Sequence, residues 1–213
     1  MGNKLSIYLR NVRYKNNSLV VLKTIDINIK NFGLYQIKGP NGVGKTTFFK
    51  TLNGELFPEE SNICIKNSKI NIFKSNRIIL FDSDFTGYLY LTPLEYIEIL
   101  ASVFGLNIDK PVFDSLYRSS GLSAYESYFI KDLSQGNKQK LAAILPCIFN
   151  LEFILLDESF EHMDTESKGI FLNWIKNNRA EKWIFVISHN DTFDELEPAT
   201  LLLNNNGELT YAE

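Results

Sequence analysis

The sequence is poor in the residues that mark several classes of protein. Its 213 residues include only two cysteines, two histidines, two methionines and two tryptophans. The cysteines, Cys64 and Cys147, are far apart and belong to no C-x-x-C pair. Their number excludes a scaffold held by disulfides, and we expect both to be buried as small apolar side chains.

The chain also lacks a strong excess of charge and a long apolar run. Its formal net charge is -3, so no basic surface is indicated and we expect no nucleic-acid partner. The most apolar stretch, 141–156, is interrupted by Pro146 and Glu152 and is shorter than the roughly 20 residues that span a bilayer. The start of the chain, 1–15, alternates polar and apolar residues without the apolar core of a secretory signal. The expected location is therefore the cytoplasm.

The periodicity of the apolar residues predicts an α/β fold in a single domain over 1–213. The first 38 residues alternate as strands do, and from 153 to 203 strand-like and helix-like segments take turns. Such alternation is typical of a parallel sheet with crossover helices. Between them, helical spacing begins at Thr92, which with Glu95 forms a capping-box pattern. We therefore predict an N-terminal antiparallel β subdomain, a core with a parallel sheet, and an inserted α-helical subdomain at about 86–133.

Residues 39–47 contain the pattern G-x-x-x-x-G-K-S/T of a phosphate-binding P-loop. They follow an apolar run and precede a helical segment, which is the context that this loop requires. Glycines let the backbone turn N–H groups toward a phosphate, and the helix dipole favours the anion. Lys45 is placed to contact the β- and γ-phosphates of a nucleotide, and the Thr46 hydroxyl to bind Mg²⁺. The predicted nucleotide-binding residues in this loop are Gly39, Pro40, Asn41, Gly42, Val43, Gly44, Lys45, Thr46 and Thr47.

A second apolar run, 153–156, ends in the two carboxylates of Asp157 and Glu158. A buried strand would deliver Asp157 to the edge of the sheet where α/β proteins bind ligands. There Asp157 can hold Mg²⁺, usually through water, and Glu158 can polarise an attacking water. The acids are weak evidence alone, but they gain weight from the P-loop that precedes them.

The segment 133–140 reads Leu-Ser-Gln-Gly-Asn-Lys-Gln-Lys. Ser134 is a typical helix N-cap, and a Ser-x-Gly at a helix start is also a surface that suits a phosphate.

Together these motifs resemble those of ATP-binding-cassette (ABC) ATPases, a class of P-loop NTPase, along nearly the whole chain. The start of 133–140, together with Gln139, is similar to the signature motif of that family. In the family, this motif contacts ATP that is bound to the partner subunit. The signature residues are Leu133, Ser134, Gln135, Gly136 and Asn137. The resemblance makes Glu158 the catalytic glutamate and Asp157 the second nucleotide motif.

Three further positions take roles from the same resemblance. Ser188-His189 resembles the switch histidine of the family, which makes His189 a second catalytic residue. Tyr14 resembles the aromatic residue that stacks on adenine, although an exposed turn tyrosine is an alternative interpretation. Asp164 matches the dimer-interface loop.

The chain departs from the family pattern in three places. Ser159 follows Glu158 where proline is frequent, and 161–164 reads Glu-His-Met-Asp in place of Ser-Ala-Leu-Asp. The loop 82–84, Asp-Ser-Asp, contains no glutamine where the family presents one. Its acids either bind Mg²⁺ directly or are solvated as loop charges usually are.

The resemblance implies an ATP- and Mg²⁺-dependent ATPase that closes head to tail as a homodimer, or as a heterodimer with a second cassette. It also implies a separate integral membrane permease, with this chain peripheral on the cytoplasmic face of the cell membrane. The form Gly-Asn-Lys-Gln-Lys at 136–140 is similar to export-type members, so we expect export. Two alternatives stay open: an ABC ATPase that is not linked to transport, and a regulatory module that binds ATP without hydrolysing it.

Overall fold

The computed structural model describes residues 4–13, 20–66, 68–70, 78–81, 85, 88–149, 151–158, 160, 162–188 and 190–212. Within them the strands are β1 Leu5–Arg13, β2 Val20–Ile29, β3 Gly33–Lys38, β4 Pro58–Ile65, β5 Ser68–Ile70, β6 Ile78–Phe81, β7 Phe153–Asp157, β8 Trp183–Ile187, β9 Ala199–Leu203 and β10 Leu209–Tyr211. The α-helices are α1 Lys45–Leu52, α2 Pro93–Phe104, α3 Lys110–Ser119, α4 Gln135–Ile148 and α5 Thr165–Asn178. Short 3₁₀ helices span Leu122–Tyr125, Ile130–Asp132 and Asp191–Leu196.

The strands form two sheets. The first is antiparallel, with the order β2-β1-β4-β5. The second has the order β10-β9-β3-β8-β7-β6, in which β9, β3, β8, β7 and β6 are parallel and β10 pairs antiparallel with β9. The predicted α/β fold with both sheets is therefore confirmed, and the edge strand β10 is an addition that the sequence did not predict.

The central strands of the second sheet are buried on both faces, and their side chains alternate between two hydrophobic cores. Phe153 and Leu155 of β7 join the core shared with α1 and the first sheet. Ile154 and Leu156 of the same strand join the core shared with α4 and α5. Because a shift by one residue would exchange the two sets, this alternation fixes the register of β7 against β8.

The region between β6 and α4 contains α2, α3 and two of the 3₁₀ helices, as the predicted helical insertion requires. Its limits at about 86–133 stay a prediction. The capping box of α2 is present: the Thr92 hydroxyl accepts from the Glu95 N–H at 3.3 Å, and the Thr92 N–H donates to the Glu95 carboxylate at 2.8 Å. The hydrogen bond from the Thr92 N–H to the Glu95 carboxylate lowers the pKa of Glu95.

Both cysteines are free. Cys147 is buried as expected, whereas Cys64 is only half-buried. Within the described ranges, no helix combines the length and the apolar composition that crossing a membrane requires.

Thr92→Ala should lower the free energy of unfolding by about 1 kcal/mol, because it leaves an N–H of the first turn of α2 without its acceptor. Thr92→Ser, which keeps the hydroxyl, is the control and should unfold close to wild type. Urea unfolding of the three proteins measures the difference, and equal stability of Thr92→Ala and wild type would contradict a role for the cap.

Candidate functional site

Three predicted site segments follow neighbouring parallel strands. The P-loop follows β3 and Ser188 follows β8, while Asp157 is the last residue of β7. In the sheet β8 lies between β3 and β7, and Asp157 pairs in register with Ile187. The carboxyl ends of these strands therefore bring the three segments to one edge, which is where open α/β sheets bind ligands.

The turn from β3 into α1 depends on Gly44, which caps the helix in a left-handed conformation with φ 109°. The left-handed backbone favours glycine here, and a Cβ would lie 2.9 Å from a methyl carbon of Leu22, whose side chain would have to move. The Gly44 carbonyl accepts the Phe48 N–H at 2.8 Å, which starts the helix. The N–H groups of a first helical turn have no acceptor within the helix, and the helix dipole favours an anion at this end.

The Lys45 side chain folds back over its own loop. Its Nζ donates to the Gly39 carbonyl at 2.8 Å and to the Pro40 carbonyl at 3.1 Å, and only 8% of the residue is exposed. A cavity of about 240 Å³ adjoins it, lined by Gln36, Ile37, Lys38, Gly39, Lys45, Ser188, Asn190 and Asp191. The loop and the segment after β8 therefore share one polar recess.

Gln36 in this recess was not predicted from the sequence. It is 1% exposed, and its Oε1 has no hydrogen-bond partner among the described residues. Its position in an apolar run, between Tyr35 and Ile37, was the only signal that could have identified it.

The predicted Mg²⁺ ligands fit the metal by their chemistry. Thr46 lies in the first turn of α1 and Asp157 ends β7 with 9% of its surface exposed, so a hydroxyl and a carboxylate lie on elements that meet at this edge. Mg²⁺ typically takes one or two protein oxygens and completes its shell with phosphate and water. Within the described residues there is no group of three or more His, Cys, Asp or Glu that could hold a metal alone.

Glu158 has an unusual backbone. Its φ is 48°, in the left-handed region, and its side chain is exposed beyond the end of β7. Its N–H donates to the Ile187 carbonyl at 3.0 Å, which ties it to β8. Such a conformation is costly for a residue with a Cβ and persists where the surroundings hold it, often at functional sites.

The signature segment forms the N-terminus of α4. Leu133 is buried, and the Ser134 hydroxyl caps the helix by accepting the Asn137 N–H at 3.2 Å. Gly136 is packed against the chain after β7: a Cβ there would lie 2.7 Å from the His162 carbonyl oxygen. Gln135 and Asn137 lie in the same first turn, with Asn137 buried.

Two side chains of α4 contact the same segment after β7. Gln139, 2% exposed, donates through Nε2 to the Glu158 carbonyl at 3.0 Å and accepts the His162 N–H at 2.6 Å. Lys140 Nζ lies 2.7 Å from an Asp164 carboxylate oxygen. The sequence placed Gln139 beside a motif but assigned it no role, because its partners are distant in the chain.

Asp164 also caps α5 by accepting the Ser167 N–H at 2.8 Å. The Lys140 ammonium and the Ser167 donors hold the pKa of Asp164 well below its usual value. That Asp164 lies in a dimer-interface loop stays a prediction.

Several predicted positions lie outside the described residues. They are Tyr14, His189, the loop 82–84, Ser159 and Glu161.

Comparison with known proteins agrees with this geometry. The solved structure of an ATP-binding subunit of an ABC transporter superposes with a TM-score of 0.80 at 19% identity, covering 97% of this chain and 89% of that one. A dimeric ATP-binding cassette in a post-hydrolysis state, bound to ADP and phosphate, superposes with a TM-score of 0.78 at 21% identity, covering 97% and 98%. At these identities the likeness shows the fold, which is that of an ABC ATP-binding cassette.

The family follows from the sequence comparison. A family model described as "ABC transporter" matches residues 22–161, and the chain belongs to that family. It is 29% identical over 190 residues to the spermidine/putrescine import ATP-binding protein PotA of Mycoplasma mycoides, and 30% identical over 190 residues to PotA of Mesoplasma florum. Each match covers 85% of this chain and 53% of the relative. The chain thus spans about half the length of these curated relatives.

Lys45→Ala should weaken ATP binding roughly tenfold or more, because the charge-assisted hydrogen bonds that it would make to phosphate are lost. Lys50→Ala removes the same charge from the last turn of α1 and is the matched control. Calorimetry with ATP measures both, and equal affinity of Lys45→Ala and wild type would contradict the P-loop assignment.

Proposed function

We propose that this chain binds and hydrolyses ATP and thereby energises a separate integral membrane permease. The observation that carries the proposal is the P-loop on β3 and α1 at the same sheet edge as Asp157 and Glu158. Membership of the ABC transporter family supports it. A place on the cytoplasmic face of the cell membrane is part of the proposal.

The predicted site residues take different parts in the reaction. The N-terminus of α1 and Lys45 bind the triphosphate, and Tyr14 stacks on adenine. Thr46 and Asp157 would hold Mg²⁺, which would supply positive charge to the phosphate oxygens. Glu158 orients a water and takes its proton as the water oxygen attacks the γ-phosphorus. The bond from the γ-phosphorus to the β-phosphate oxygen breaks, and ADP and phosphate leave. His189 contacts the γ-phosphate.

A second subunit completes the site. In a head-to-tail dimer, Ser134 and Gly136 of one subunit cover the ATP bound at Lys45 of the other, and Asp164 lies in the dimer interface. The exposed N-terminus of α4 supports this arrangement, because the capped helix start is the end that favours an anion. The partner is a second copy of this chain or a related cassette.

A surface for the permease is offered by the helical region. Four aromatic side chains of this region are exposed, and we call them the aromatic cluster: Tyr88, Tyr90, Tyr128 and Phe129. The ring centres of Tyr90 and Phe129 lie 6.4 Å apart. Tyr90 is 71% exposed, and the Lys131 ammonium lies 4.5 Å from the centre of its ring. The chain segments of the cluster are joined by a hydrogen bond from the Lys131 N–H to the Leu89 carbonyl at 2.9 Å. Exposed aromatic residues of this kind are enriched at protein interfaces.

Export stays our prediction for the direction of transport. It rests only on the similarity of the sequence at 136–140 to that of export-type members. The relatives reported above are named as import proteins, which supports the opposite direction. The identity of the membrane partner decides between them.

Glu158→Gln should bind ATP with unchanged affinity and lose most of its hydrolysis, because an amide cannot take a proton from water. Without turnover, ATP links two subunits and the dimer accumulates by mass action. Light scattering with and without ATP measures the dimer, and a phosphate-release assay measures turnover.

Glu181→Gln, in the turn before β8, is the matched control and should behave as wild type. Turnover by Glu158→Gln at the wild-type rate would remove Glu158 from the catalytic role. A wild-type chain that binds ATP and releases no phosphate would favour the regulatory module.

Tyr90→Ser should reduce, severalfold, the share of this chain that sediments with membranes containing its permease, because it removes the most exposed ring of the aromatic cluster. Its ATPase rate in solution should not change. Tyr211→Ser, which removes an exposed tyrosine from β10, is the control. Equal sedimentation of all three proteins would exclude the cluster as the docking surface, and no sedimentation of wild type would favour an ATPase not linked to transport.

A further inference from the structure

The amide of Gln139 joins two parts of the molecule that the sequence keeps apart. It lies in the second turn of α4, is 2% exposed, and uses both of its polar atoms on backbone groups of the segment after β7. One contact is a donated hydrogen bond to the Glu158 carbonyl, and the other is an accepted hydrogen bond from the His162 N–H. A glutamine side chain supplies both a donor and an acceptor, which this pair of partners requires.

The contact matters because of the backbone conformation of Glu158. Its φ of 48° is costly, so its orientation depends on what holds the peptide groups on either side. Its N–H donates to the Ile187 carbonyl of β8, and its carbonyl accepts from Gln139 of α4. The direction of the Glu158 side chain is therefore set jointly by the sheet and by α4.

Two more contacts keep α4 and this segment in register. Gly136 lies so close to the His162 carbonyl that a Cβ would be 2.7 Å from the oxygen, and Lys140 pairs with Asp164 at 2.7 Å. A displacement of the first two turns of α4 would thus disturb Glu158, His162 and Asp164, which these contacts join to the helix.

We propose that Gln139 is a positioning residue that makes the orientation of Glu158 depend on the position of α4. This rests on the proposed function, in which Ser134 and Gly136 of α4 cover the ATP of the partner subunit. The Gln139 bridge then links the two ATP sites of a dimer within each subunit: closure of α4 over the ATP of the partner orients the glutamate that acts on the ATP of its own subunit. Gln139 acts through Glu158 and is not itself a catalytic residue.

The test uses the full chain and three variants. Gln139→Met keeps the length of the side chain and removes both hydrogen bonds. Gln139→Glu can accept from the His162 N–H but can donate to the Glu158 carbonyl only when protonated. Cys147→Ala removes a buried group from α4, two turns further along, and is the control for loss of stability. ATP affinity, the ATPase rate against ATP concentration, and thermal unfolding are measured for each.

Gln139→Met should bind ATP within about twofold of wild type while kcat falls about tenfold or more, because a misplaced catalytic group costs rate more than affinity. The Hill coefficient for ATP should fall toward one. For Gln139→Glu, kcat relative to wild type at the same pH should rise severalfold between about pH 8 and pH 6, as the buried carboxyl gains the proton that it donates. Cys147→Ala should keep the kcat and Hill coefficient of wild type.

Three outcomes would overturn the inference. The first is a wild-type kcat and Hill coefficient in Gln139→Met. The second is an equal loss of kcat in Gln139→Met and Cys147→Ala at equal loss of thermal stability, which would make the role structural only. The third is a kcat ratio for Gln139→Glu that does not change with pH. Failure of the wild-type chain itself to hydrolyse ATP is a separate result, and it overturns the proposed function together with this inference.

Discussion

Burial of β7 and β8 on both faces is the constraint on which the rest of the structure depends. Every residue of these two strands is buried, so their peptide groups must pair with neighbouring strands and their side chains must fill two cores at once. That requirement holds β8 between β3 and β7. Groups that need water or ligands can therefore lie only at the ends of the strands. The P-loop follows the end of β3, Asp157 is the last residue of β7, and Ser188 follows β8.

The site consequently draws on both faces of the sheet. Helix α1, which carries Lys45, packs in the core with the antiparallel sheet, whereas α4 packs in the opposite core. Of the two, α4 contacts the segment that begins with Glu158, through Gln139 and Lys140. Glu158 is hydrogen-bonded to the sheet through its N–H and to α4 through its carbonyl.

Local patterns in the sequence predicted most elements, while contacts between distant segments were not predictable. The bounds of β2, α1, β6 and β8 agree with the periodicity, and the cap of α2 was visible because Thr92, Pro93 and Glu95 are adjacent. Strand β10 was not predicted, because its three residues are too few to show an alternating pattern. Its existence depends on pairing with β9, which the local sequence does not reveal. The burial of Gln36 and the contacts of Gln139 were not predicted for the same reason, because the groups that surround a buried amide come from other parts of the chain. Asp164, predicted only at an interface, also caps a helix and pairs with Lys140.

The position of the Lys45 ammonium has a consequence for how a phosphate would bind to the loop. Its ammonium is almost removed from solvent and is held by two carbonyl oxygens of its own loop, so the cost of dehydrating the charge is met when the chain folds. An ammonium has three N–H donors and the two carbonyls use two of them, so a phosphate oxygen could bind the third without displacing either carbonyl. Such a phosphate would meet a charge that is already dehydrated and held in place by the loop.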